Sequence, residues 1–307
     1  MYTFIVTVDT EGDNLWGWKP GQEITTENSK YIPRFQNLCE KYGVKPVYLT
    51  NYEMATDSRF VSYIKPKAAN GKCEIGMHCH AWNSPPDFPL NGPYPGNPYI
   101  TEYPEDIMFK KMEYMTSLLE SIFEEKMLSH RAGRWASSKA MFNCLKELGY
   151  KVDCSWVSGM DLSHLPGAAV PVGFNYKDIK NKVYMPVGGV LEVPMTAMHL
   201  HHVEGVIFRS KVKHALLGQD IWLRPAVSSE QLMKKVMEKT TRSGSDYIEF
   251  MIHSSELMPG GSPYCRNNEQ IEVFYRRIES VFQYLSEKYE RRTLSEFTAT
   301  INSHRSE

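Results

Sequence analysis

Short apolar runs alternate with amphipathic stretches along most of this chain, and its chemically able side chains stand where the apolar runs stop. The runs YTFIVTVD (2–9), KPVYLTNY (45–52) and CEIGMHCH (73–80) are separated by segments 27–42 and 57–69 and followed by 105–126. This is the βαβ rhythm of a parallel sheet, in which each helix returns the chain to the same sheet edge. Within 105–126, Met108, Met112, Met115, Leu119 and Ile122 recur at three- and four-residue steps and mark one buried helical face. The rhythm resumes with LSHRAGRW, a helix over 137–148 ended by Gly149, and a strand over 150–156. Between 157 and 225 it blurs, and 182–195 reads as a hairpin turning near Gly188 and Gly189. A helix over 229–243, a strand over 247–256 and a helix over 268–291 restore it. About seven βα units with no repeat or linker predict one α/β domain over 1–307, a distorted (β/α)7-type barrel.

With 42% hydrophobic residues in 307, the chain can bury one large core. Its 35 Lys and Arg against 36 Asp and Glu leave no field to hold nucleic acid or an anionic membrane. No apolar stretch reaches membrane-spanning length, and no basic leader precedes the first apolar run, so a cytoplasmic protein without membrane insertion is expected. The six cysteines show no C-x-x-C spacing and are expected to be reduced, buried fillers.

Asp9 and Glu11 end the first run, and the two-residue strand period turns both carboxylates to one face, with Asp13 continuing the series if the chain stays extended. His78 and His80 repeat that spacing at the end of the third. Two such imidazoles can share a divalent ion with a carboxylate from another strand, an N/N/O set that leaves positions open for water. His253 ends YIEFMIH and is placed to act as general acid or base. Arg131 and Asp153 fall on two further strand ends: a guanidinium there can pin a catalytic carboxylate, and a carboxylate can orient a catalytic imidazole. Trp82, Asn83, Trp135 and Trp156 lie beside these motifs, and aromatic faces serve equally as sugar platforms and as core. Segment 83–104 carries seven prolines and reads as a stiff loop walling a cleft. His199, His201 and His202 read as cleft wall or packing rather than ligands.

These motifs, in this order, resemble the polysaccharide deacetylase (NodB-homology) superfamily, whose five motifs run along a distorted (β/α) barrel. TVDTEGD resembles the first, EIGMHCHAWNSPP the second, RAGRW the third, DCSW the fourth and MIHSSELMPGGSPY the fifth. HCHAWNSPP with HSSELMPGGSPY looks like a bacterial branch linked to cell-surface polysaccharide synthesis. The resemblance implies a zinc-dependent hydrolase removing an N-acyl group from an amino sugar, with Glu11, His78 and His80 as ligands and Asp9 as base. Arg131 would restrain Asp9, and His253, oriented by Asp153, would protonate the amine from the opposite side of the scissile amide. Trp82, Asn83 and Trp135 would contact the sugar. Two departures stand out: Thr10 follows Asp9 where the family has a second acid, so the ligand role passes to Glu11. Trp82 stands where the second ligand histidine is usual, so that role passes to His80. Two rival readings remain open, a metal-free carbohydrate-binding barrel and an amidohydrolase-type enzyme acting on a small cyclic amide.

Overall fold

The β-branched and aromatic run from Tyr2 to Thr10 (β1) is buried from its second residue onward, and the remaining strands assemble outward from it. The structure, a computed structural model, describes residues 1–19, 21–204, 208–285 and 287–304. Next in chain order come β2 (Pro46–Thr50), β3 (Glu74–Cys79), β4 (Ser129–Ala132), β5 (Val152–Asp153), β6 (Tyr184–Val187) and β7 (Val190–Glu192). Then follow β8 (Ala197–Leu200), β9 (Gln219–Trp222), β10 (Tyr247–His253) and β11 (Tyr289–Arg291). The main sheet runs β10-β1-β2-β3-β4-β5-β7-β6, with β11 on the start of β1, and only the β6–β7 hairpin is antiparallel. The curled, parallel-rich sheet is the expected distorted α/β barrel, and the hairpin turns at Gly188 and Gly189 as predicted, Gly189 taking the left-handed φ of 97° that glycine tolerates. Among the described residues no ladder joins the β7 side to β10. Single backbone bonds from Leu223 N to Thr196 O (3.0 Å) and from Met251 N to Leu223 O (3.2 Å) span that seam.

The helices are α1 (Ile32–Lys41), α2 (Tyr52–Ala55), α3 (Ser58–Ala69), α4 (Glu105–Phe123), α5 (Lys139–Glu147), α6 (Phe208–Leu217), α7 (Glu230–Arg242), α8 (Asn268–Tyr284) and α9 (Leu294–His304). Side-chain oxygens of Asp57, Ser138, Ser229 and Asn267 accept from backbone N–H groups three residues on, which starts α3, α5, α7 and α8 where the sequence predicted helices. On α4 the face of Met108, Met112, Met115 and Leu119 is buried in the core, as its periodicity required. All six cysteines are buried and free.

The helix expected over 268–291 stops at Tyr284, and residue 286 lies outside the described residues. Tyr289–Arg291 instead pairs in parallel with Tyr2–Phe4, where Tyr2 N donates to Lys288 O. The strand over 150–156 shortens to Val152–Asp153. In the blurred region, β8 and β9 form a separate antiparallel pair with α6 between them. His199 is exposed there and bonds Asp220, while His202 is buried against Gln219, so this cluster packs the β8–β9 unit and does not wall the cleft.

Candidate active site

Parallel strands deliver their C-terminal residues to one edge, and register decides which of them meet. Asp9 on β1 is the Cα partner of His253 on β10, and His78 on β3 is the partner of Arg131 on β4. All four side chains are nearly or wholly buried beneath an open cleft of ≈ 430 Å³, whose lining includes Asp9, Glu11, His78, His80 and His253.

His78 donates from Nδ1 to the carbonyl oxygen of Arg131 at 2.9 Å, which leaves Nε2 as the lone pair facing the cleft. That Nε2 is 3.6 Å from Glu11 Oε2, and His80 Nε2 is 3.1 Å from the same oxygen. One ligand atom from each of the three residues lies within 4.8 Å of the others, and the three are buried. The ring of His80 lies flat on Trp82, with centroids 4.4 Å apart, and against Gly133, where a Cβ would stand 2.3 Å from the ring. Glu11 has imidazoles alone as ion-pair partners among the described residues. A buried carboxylate with imidazoles alone beside it lacks the fixed positive charge of a lysine or arginine, so the donor set fits a divalent cation. Burial alone raises the Glu11 carboxyl, but the neighbouring imidazoles of His78, His80 and His253 outweigh it and hold the group well below the usual carboxylate range.

Arg131 is fully buried and donates through Nη1 to Asp9, through Nε to the carbonyl of Cys154 at 3.0 Å, and through Nη2 to both Thr7 Oγ1 and Glu249. Burial pushes the Asp9 carboxyl up, yet Arg131, with His78 and His253, brings it below its ordinary value, so Asp9 is ionised. His253 Nε2 is 3.7 Å from Asp9 Oδ2 and 3.9 Å from Glu11 Oε1. Burial and the positive Arg224 lower its affinity for a proton, against Glu11, Glu256 and Asp9, and the ring rests neutral. Expected on opposite sides of the scissile bond, Asp9 and His253 stand side by side because β1 and β10 pair in register.

Asp153 does not reach His253. It accepts from His130 Nδ1 at 2.6 Å and from Ser155 Oγ at 2.8 Å, because the β4–β5 register opposes it to His130. The carboxylate facing His253 Nδ1, at 3.8 Å, is Glu256, whose other oxygen accepts the His253 N–H and which is ion-paired with Arg224. Asp13 anchors the following loop through Thr25 and Asn28.

Trp82 and Trp135 line the cleft. Trp135 lies over the Arg131 guanidinium, 4.9 Å from ring centroid to Cζ, and both it and Arg134 adopt left-handed backbone, φ 60° and 59°. Two such residues in succession, neither a glycine, store strain that the surrounding contacts must hold. Arg134 donates to Asn97 O and to Pro166 O and lies over the Tyr99 ring, fastening the proline-dense loop beside the cleft, where Asn97 and Leu165 join the lining. Asn83 turns to Glu53 (2.8 Å) and is absent from that lining, while Trp156 is bonded to Ser137 and packed among Phe142, Tyr176 and Tyr184. Trp16, which the sequence reading missed, closes the opposite side with its ring 5.1 Å from His253.

No protein-family model and no curated protein matches the sequence. Solved structures match it along nearly the whole chain. A chain described as a polysaccharide deacetylase from Mycobacterium smegmatis is 13% identical with a TM-score of 0.57, over 99% of this chain and 92% of that one. The Xyl-CE4 domain of a multidomain xylanase from the hindgut metagenome of Trinervitermes trinervoides is 12% identical with a TM-score of 0.47, over 98% and 91%. A 4-alpha-glucanotransferase from Thermococcus litoralis is 11% identical with a TM-score of 0.50, over 98% of this chain and 38% of the other. The chain therefore has the fold of the polysaccharide deacetylases. Its strand-end acids and histidines occupy the C-terminal edge at which barrels of this kind carry their chemistry.

Proposed function

We propose that this chain is a metal-dependent deacetylase that removes the N-acetyl group from an amino sugar of a surface polysaccharide or its precursor. The observation that carries the reading is the convergence of Glu11, His78 and His80 with the Arg131-held Asp9 and with His253 in one cleft. A divalent ion, zinc best suiting an N/N/O donor set, would be held by Glu11, His78 and His80 and would polarise the acyl carbonyl and acidify water.

Asp9, kept ionised by Arg131, takes a proton from the attacking water. His253, neutral at rest, receives a proton across the 3.7 Å gap from Asp9 and passes it to the departing amine. Water serves as nucleophile and acetate leaves as the acid. Trp82 and Trp135 offer apolar faces to the sugar ring, and the loop bearing Asn97 limits how the chain enters. The Trp82 substitution at the usual ligand position fits this scheme because His80 supplies the second nitrogen while Trp82 stacks on it.

The test is acetate release from N-acetylated hexosamine oligomers by the zinc-loaded protein, before and after chelation, with Asp9→Asn as the control. Release that chelation and the substitution both abolish supports the reading. A zinc-loaded protein that binds the oligomers and releases no acetate overturns it in favour of a binding barrel.

A further inference from the structure

Resting on the deacetylase reading, the strand that carries His253 contributes a second functional group. Glu249, Met251 and His253 share one face of β10 by the two-residue period, and Glu249 is the one charge inside an otherwise apolar run. Glu249 is fully buried, and its Oε1 accepts from Thr7 Oγ1 (2.7 Å) and from Nη2 of Arg131. Among the described residues its Oε2 has no hydrogen-bond partner. The guanidinium thus has two carboxyl neighbours, Asp9 on Nη1 and Glu249 on Nη2, with Thr7 bridging on the Glu249 side. Its Nε–H goes to Cys154 O, and the Trp135 ring covers its face.

A flat guanidinium bound along only one edge can swing, whereas one held along both cannot. We propose that Glu249 is a positioning residue of the hydrolytic site: by accepting Nη2 through Oε1, it fixes the plane of Arg131 so that Nη1 meets Asp9. The acceptor oxygen rather than the charge does this. Burial, opposed only in part by Arg131 and Thr7, pushes the Glu249 carboxyl up to about 7, and among the described residues its second oxygen accepts no hydrogen bond. Thr196 Oγ1 accepts the Glu249 backbone N–H, so the strand itself is pinned at this residue across the seam.

The test compares Glu249→Leu, which keeps bulk and removes the acceptor, with Glu249→Gln, which keeps the acceptor and removes the charge. With an N-acetylated hexosamine oligomer as substrate, Leu is expected to lower kcat by on the order of 10²-fold while leaving KM and zinc content unchanged, the usual cost of a misplaced catalytic group. Gln is expected to restore kcat to within a few fold of the parent. Equal losses in both variants, or no loss in Leu, overturn the proposal. Should Leu not fold, Thr7→Val loosens the same acceptor, and an unchanged kcat there counts against it. Crystal structures of the variants give a readout independent of turnover: Arg131 displaced from Asp9 in Leu or Val and retained in Gln supports the positioning role. If the parent protein hydrolyses no such substrate, the deacetylase reading fails while these structures still decide the role of Glu249.

Discussion

His78 Nδ1 donates to the backbone carbonyl of Arg131, the residue whose side chain holds Asp9. One residue of β4 therefore orients the His78 imidazole through its main chain and the Asp9 carboxylate through its guanidinium. His78 and Asp9 are thus tied to one residue, His78 as the Cα partner of Arg131 and Asp9 through the Arg131 side chain.

The donor set is testable by removing one nitrogen at a time. His78→Ala and His80→Ala are each expected to abolish zinc retention after dialysis, measured by elemental analysis, with the far-ultraviolet dichroism of a folded barrel preserved. Stoichiometric zinc in both variants refutes the assignment.

His253→Ala is expected to slow turnover by roughly 10²- to 10⁴-fold, the usual worth of a positioned proton donor, with zinc content and substrate affinity little changed. Near-normal turnover would show His253 to be a packing residue. Loss of metal would make it a ligand.

Arg131→Met leaves Asp9 and Glu249 buried without their shared cation. Stability should fall by about 3–5 kcal/mol by denaturant unfolding, because an uncompensated buried charge remains. Arg131→Lys should recover little, since one ammonium cannot reproduce the contacts the guanidinium makes with Asp9, Thr7, Glu249 and Cys154 O. A Lys variant as stable as the parent contradicts this.

Glu249 is held at about 7 in the folded chain against an ordinary 4.5, chiefly by burial. With the folded value the higher, the native state binds this proton more tightly than the unfolded one. The stabilisation is complete below about pH 4.5 and is lost as pH rises through about 7, a change on the order of 3 kcal/mol. Glu249→Gln should remove that slope, and parallel stability curves for parent and variant across this window would refute it.

Arg134→Ala frees Asn97 and Pro166 from the turn after β4. The Michaelis constant should rise several-fold with a smaller change in kcat if the loop, whose Asn97 lines the cleft, shapes the entrance without taking part in the chemistry. Unchanged kinetics would reduce the proline-dense loop to a connector.

Period-two spacing at the strand ends was enough to put Asp9 with Glu11 and His78 with His80 on common faces, and alternating apolar runs announced the barrel. Helix starts were legible because capping is local: Asp57, Ser138, Ser229 and Asn267 each bond within their own first turn. Glu249 was equally legible in principle, since the same period aligns it with His253. What the sequence could not decide is which strand lies beside which. That order, with its register, sets Asp153 against His130 and leaves Glu256 to face His253, and it stands Asp9 next to His253 rather than across a substrate from it. The β11 pairing was hidden for the same reason: Tyr289–Arg291 becomes a strand because the open edge at the start of β1 needs hydrogen-bond partners, a demand that arises only once the sheet exists.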